Sequence, residues 1–254
     1  MSRRGIAVAL AFVATGCARP KLGRSDVVQP APPPPAPSTA PADKAASGPV
    51  TIIAPTAGQV LSESALDVRT AGPAGTAALL ILDGGVPQSI QIGESAKLDK
   101  LAPGTHLLRV VRCDAEGVMS TDKDAFAACL FSVGGSAAGA AAAPAADLAK
   151  PLVTVGQPFE TVTPRSAGEV VLDVRVDGVA LAESGAQVKW QVDGGETQSL
   201  FAWPPPEPLT IAGLKPGAHT LKLWLAGKDG KPVSNGPATQ VERAFEVLGL
   251  PARG

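Results

Sequence analysis

The stretch LAPGTHLLRV, Leu101 to Val110, returns as LKPGAHTLKL, Leu214 to Leu223, and this echo constrains the fold more than any other feature of the chain. It belongs to an ordered series. LDVR occurs at Leu66–Arg69 and again at Leu172–Arg175. Asp83-Gly84-Gly85 recurs 110 positions later as Asp193-Gly194-Gly195, and Gln88-Ser89 recurs at the same spacing as Gln198-Ser199. The spacing widens to 113 for the LxPGxH phrase and to 114 between Phe131-x-Val133 and Phe245-x-Val247. Matches that keep their order while the spacing grows are what short loop insertions leave between two diverged copies of one unit. The chain therefore reads as a duplicated structural module, with copies at 49–133 and 152–248.

Within each copy the pattern is that of strands. Val188, Trp190 and Val192 alternate with Lys189 and Gln191 before Asp193-Gly194 turns the chain. Leu221, Leu223 and Leu225 alternate with Thr220, Lys222 and Trp224, ahead of a second hairpin signal at Lys228-Asp229-Gly230-Lys231. Asp114–Gly117 fills that turn in the first copy. With 28 glycines, 25 prolines and no tyrosine, the composition suits short strands and many turns. About seven strands can be drawn per copy, which predicts an all-β chain of two tandem immunoglobulin-like sandwiches. The GxHxL phrase, followed after a hairpin by a closing FxV strand, resembles bacterial immunoglobulin-like or fibronectin-like modules of envelope proteins. The resemblance covers both copies, about two thirds of the chain, and implies an architecture without implying a ligand.

Two segments lack any apolar period. Residues 19–48 are dominated by Pro, Ala and Ser and are expected to form an extended tether reaching about 90 Å. Residues 134–151 form an Ala/Gly-rich linker between the copies, and 249–254 form a short tail. The N-terminus, MSRRGIAVALAFVATGCARP, has a basic start, a short apolar run and then Gly16-Cys17. The run is too short to span a bilayer and reads as a signal peptide over residues 1–16. A small residue directly before Cys resembles the lipobox of bacterial lipoproteins, with Ala14 where Leu is usual in that family. The resemblance implies lipidation of Cys17, which would begin the tether (17–48), and export to the cell envelope. Ala18 after the cysteine implies the outer membrane. Ser2-Arg3-Arg4 touches the twin-arginine export pattern without completing it. Several acyl chains would anchor stably, each buried methylene contributing about 0.8 kcal/mol.

The chemistry-bearing residues are few. A net charge of −1 gives no basic footprint for nucleic acid. His106 and His219, the two histidines of the chain, share strand parity with core leucines. They are expected to point inward, each with a ring nitrogen on a loop carbonyl, as a repeated fold element and not as metal ligands. No nucleophile motif, phosphate loop or metal-ligand spacing accompanies them, so neither enzyme chemistry, nor a cofactor, nor a metal is expected. Asp173–Gly178 resembles a cation loop only faintly and reads as a strand and turn. Cys113 and Cys129 flank the first copy's hairpin in a chain read as exported, where disulfides form. Strict alternation puts Cys129 inward and Cys113 outward, and a bulge near Arg112 reconciles them, so a Cys113–Cys129 disulfide is expected.

Two surfaces remain. Leu79, Ile81, Leu107 and Val111 make an outward apolar face that must be covered, by the second copy or by a partner protein. Trp203 and Trp224, outward in the second copy, are candidates for stacking on a glycan such as peptidoglycan. The alternative is that Trp203 folds back over the sandwich edge and Trp224 covers a loop. Trp190 reads as core. The expectation is a lipid-anchored envelope protein acting as an interaction or scaffolding module, with glycan binding as the second reading.

Overall fold

The computed structural model of the chain describes residues 48–134, 146–164 and 168–249. The signal peptide, Cys17, nearly all of the tether, the middle of the linker and residues 250–254 lie outside the described residues. In the first copy, β1 (Thr51–Ala54), β3 (Leu66–Ala71) and β6 (Ser95–Leu98) form one antiparallel sheet. Facing it is a sheet of β2 (Val60–Leu61), β8 (Phe126–Val133), β7 (Gly104–Arg112), β4 (Ala77–Leu82) and β5 (Gln88–Gln91), in that spatial order. The short β2 runs parallel to β8 at the sheet edge. Alternation drives the closure: Leu66 and Val68 of β3 face Leu80, Leu108, Val110, Phe131 and Val133 of the larger sheet and are buried with them.

The second copy repeats the plan. Its large sheet orders β10 (Thr161–Val162), β17 (Gln240–Val247), β16 (Gly217–Ala226), β13 (Gln187–Val192) and β14 (Gln198–Leu200). Opposite it, β9 (Leu152–Gln157) pairs with β12 (Asp173–Asp177), and β11 (Val170–Val171) pairs with β15 (Thr210–Ile211). Val153, Val155, Trp190, Leu221, Leu223, Leu225 and Phe245 fill the core. The fold is all-β, two immunoglobulin-like sandwiches in tandem, as the periodicity predicts.

Several strands are buried on both faces, which one sandwich alone cannot achieve. All six residues of β9 are buried, as are seven of the nine in β7. The cause is face-to-face docking of the two sandwiches. The outer face of the β9–β12 sheet lies on the outer face of β4, β7 and β8. Leu79, Ile81, Leu107 and Val111 are thereby at most 1% exposed. Leu107 packs with Leu152, Ala238 and Ala146, while Leu79, Ile81 and Val111 pack with Met119 and Phe159. This corrects the reading of these four residues as a face for a partner protein: the second sandwich, together with Met119 of the first copy's own loop, occupies it. The linker is also docked where it is described. Ala146 is buried, and Asp147 accepts from Asn235 Nδ2 through its backbone carbonyl while its N–H donates to Asn235 Oδ1.

Polar side chains of the second sandwich clasp backbone of the first. Arg175 Nη1 donates to the carbonyls of Ser120 (2.6 Å) and Asp122 (3.0 Å), while its Nε and Nη2 bind Asp177. Its guanidinium stacks between the rings of Phe126 and Trp203. Arg243 Nη2 donates to the carbonyls of Gly84 and Gly85 in the first sandwich and of Val155 in its own. Arg109 reaches the other way, its Nη2 donating to Pro237 O at 2.8 Å. Asp173 Oδ2 accepts from the Met119 N–H. Gly156 makes this approach possible, since a Cβ there would sit 2.5 Å from that carboxylate oxygen.

The expected disulfide is absent, and the register gives the reason. Cys129 stands opposite Leu108, five positions along β7 from Cys113, or about 17 Å at 3.3 Å per residue. A disulfide needs Cα atoms within roughly 7 Å. The β4–β7 ladder runs unbroken to Ala78–Arg112, so no bulge turns Cys113 inward. Its thiol packs in the interface with Met119 and Phe159, while Cys129 Sγ donates to the Pro55 carbonyl. Burial pushes the Cys113 thiol up to about 11, with Asp114 and Asp173 adding to the rise.

Burial, and then the nearby Asp114, raise the Asp173 carboxyl to about 7, against the lowering effect of the Met119 N–H. A carboxyl held above its unfolded value costs stability as pH rises from about 4 to about 7, and the cost persists above that. Asp173→Asn should therefore raise the melting temperature by several degrees at pH 8 and change it little at pH 4, as read by thermal denaturation. Arg243→Ala strips hydrogen bonds from four carbonyls, three of them buried, and should cost roughly 3 kcal/mol. Calorimetry should then resolve two transitions, against the single one expected of the intact protein.

Candidate functional site

Both histidines sit in the same built structure. In the first copy Leu82–Gly85 forms a tight turn, Gly85 N–H to Leu82 O, with Asp83 (φ 52°) and Gly84 (φ 75°) both left-handed. These are the angles of the type I′ turn that Asp-Gly favours. The turn aims the Asp83 carboxylate at β7. Its Oδ1 accepts from the Leu107 N–H at 2.7 Å, and its Oδ2 lies 2.6 Å from His106 Nδ1. His106 Nε2 lies 2.7 Å from the Ala102 carbonyl, and the ring tilts against Phe131. In the second copy Asp193 Oδ1 accepts from the Thr220 N–H at 2.8 Å, its Oδ2 lies 2.7 Å from His219 Nδ1, His219 Nε2 lies 2.8 Å from Lys215 O, and the ring meets Phe245.

The carbonyl contact is the one expected from the sequence; the carboxylate was missed. Its signal was the recurrence of Asp-Gly-Gly at the same place in both copies, which reads as a turn and says nothing about where the side chain goes. Each ring is held at both nitrogens by acceptors of its own sandwich, so the pair latches the β4–β5 turn to β7, and its counterpart latches the β13–β14 turn to β16. Among the described residues no group of three or more His, Cys, Asp or Glu side chains is placed to hold a metal ion.

Trp203 and Trp224 do not share a platform. The Trp203 indole N–H donates to Val174 O at 3.0 Å, and its ring packs on the second core and against Arg175. It folds back over the sandwich edge, so its part in the glycan-stacking pair is corrected. Its loop, with Pro204–Pro208, walls a groove against Val118–Thr121 of the first sandwich. Trp224 lies on the outer face of β16, between Lys189 of β13 and Gln240 of β17. A groove of about 540 Å³ passes over it, lined also by Gln191, Lys222, Glu242 and Pro232. Of the candidate residues, Trp224 is the one left on an open, ligand-sized surface.

No family model and no curated protein matches the chain. Among solved structures, the CbhA fibronectin(III)-like modules of Clostridium thermocellum are 16% identical over 81% of this chain and 98% of theirs, at a TM-score of 0.27. A candidate membrane-anchored protein of Corynebacterium diphtheriae is 12% identical over 82% of this chain and 60% of its own, at 0.28. The central fibronectin-III array of RIM-binding protein is 15% identical over 77% and 68%, at 0.24. Likeness at this level carries no function across.

The carbonyl of Lys215, and then the Asp193 carboxylate, raise the His219 imidazole above its ordinary 6.5, and the same contact lowers Asp193 below 3.8. The raised histidine contributes stability that is full below pH 6.5 and is lost as pH rises through its folded value. The lowered aspartate contributes stability above pH 3.8 that is lost as pH falls through its folded value. His219→Gln should therefore lower the melting temperature most near pH 5, and the gap to the unsubstituted protein should narrow on going to pH 9.

Proposed function

We propose that this chain is an exported, lipid-anchored envelope protein, held in the outer membrane of a two-membrane cell, and that it acts by binding and scaffolding without catalysis. The observation that carries this reading is the arginine clasp between the sandwiches. Buried arginines hold the two into one body, so surfaces on both are presented in a fixed relation. Such a body suits presentation, and the Pro-rich segment after Cys17 suits a stalk. The histidines and their aspartates, which would be the first candidates for proton transfer, are occupied in structural latches. Their ring nitrogens face a carbonyl and a carboxylate, an arrangement that favours a non-catalytic role.

The test is fractionation of cells producing the full chain. Most of the protein should sediment with membranes and resist alkaline carbonate. Cys17→Ser should release it to the soluble fraction with its thermal transition unchanged. A Cys17→Ser protein that stays with the membranes would sink the lipid anchor.

A further inference from the structure

The two sandwiches use the same sheet face in opposite ways. In the first, Leu79, Val111 and Phe126 lie side by side across β4, β7 and β8, with Ile81, Arg109 and Ala128 as the next row. The second sandwich and the first copy's own Met119 cover them. In the second sandwich the equivalent rows are Lys189, Trp224, Gln240 and then Gln191, Lys222, Glu242. Lys222, Gln240 and Glu242 are exposed, and Lys189, Gln191 and Trp224 are partly so. No described segment of the chain seals this face. The apolar residues that dock a protein surface in the first copy are replaced by amides, charges and one indole.

That chemistry selects an occupant. A protein docked as in the first copy needs a continuous apolar patch, which is absent here. A pyranose ring presents an apolar C–H face rimmed by hydroxyls. The C–H face matches the electron-rich face of an indole, and the rim matches side-chain amides that both donate and accept. Gln240 flanks Trp224 on one side, and Gln191 lies in the next row. Lys189 stands across the ladder from Trp224, and Lys222, opposite Glu242, lines the groove in the next row. The positive charge at the stacking residue matches a sugar bearing a carboxylate.

We propose that this face is a saccharide-binding platform, with Trp224 as its stacking residue, for glycan strands that carry carboxylates. The proposal goes beyond the anchoring reading and stands apart from it, because it is tested on purified protein and does not depend on release from membranes.

The experiment uses the full chain in detergent, titrated calorimetrically with two soluble probes. One is a glycan strand of alternating N-acetylglucosamine and N-acetylmuramic acid. The other is an N-acetylglucosamine oligomer of equal length without carboxylates. The acidic strand should bind more tightly than the neutral one. Trp224→Ala should weaken binding at least tenfold with an unchanged melting temperature, and Trp224→Phe should keep part of it. Lys189→Ala should abolish the preference for the acidic strand. No binding of either probe, equal binding by Trp224→Ala, or no preference for the acidic strand each overturns the proposal. So does a concentration-dependent oligomer of the unsubstituted protein that Trp224→Ala dissolves, since the occupant would then be a second copy of the chain.

Discussion

A sandwich that already has a filled core cannot leave a second apolar face in water, and the first copy has such a face in Leu79, Ile81, Leu107 and Val111. Covering it organises the rest of the described chain. The β9–β12 sheet is laid across it, Gly156 lets Met119 and Asp173 meet beneath, and the linker end at Ala146 is drawn into the same seam. Burial of this face supplies the driving force, and the arginines set the register, because a guanidinium leaves carbonyls satisfied in only one relative placement of the sandwiches. Arg109 keeps Nε and Nη1 without a protein acceptor in the seam, and burial lowers it to about 10. Placing charge there favours one arrangement at some expense in stability.

This docking redistributes the roles of side chains that the duplication made equivalent. In LDVR, Asp67 and Arg69 face solvent in the first copy, whereas Asp173 and Arg175 are 9% and 2% exposed in the second. The position that holds Cys129 in one copy holds Arg243 in the other. Both contact the carbonyl of an equivalent proline, Pro55 or Pro158, and the longer side chain continues on to the first copy's Asp-Gly turn. The latches, by contrast, are unchanged between copies, because each closes within its own sandwich.

Trp224 shows the other side of that asymmetry. In the first copy this sheet face is consumed by the second sandwich, so binding has to be sought where the docking stops. The open face of the second copy has a single aromatic among polar side chains, a composition suited to a hydrated ligand more than to another protein core.

The sequence by itself determined the duplication, the strand alternation, the turns and the inward histidines, because these depend on periodicity and on contacts between segments close in register. Parity argued against the disulfide expected between Cys113 and Cys129, and the unbroken β4–β7 ladder removed the bulge that was to reconcile them. Parity also showed that the Leu79 face needed a cover and named the second sandwich as one of two candidates. Tertiary structure decided between them, and decided that Asp173 and Arg175 are interface groups, that Arg243 reaches across, and that Trp203 and Trp224 point to different places. Those outcomes depend on how two separately closed sheets approach each other. That approach is fixed by long-range burial and by hydrogen bonds spanning more than a hundred residues, as from Arg243 to Gly85, and no local pattern encodes it.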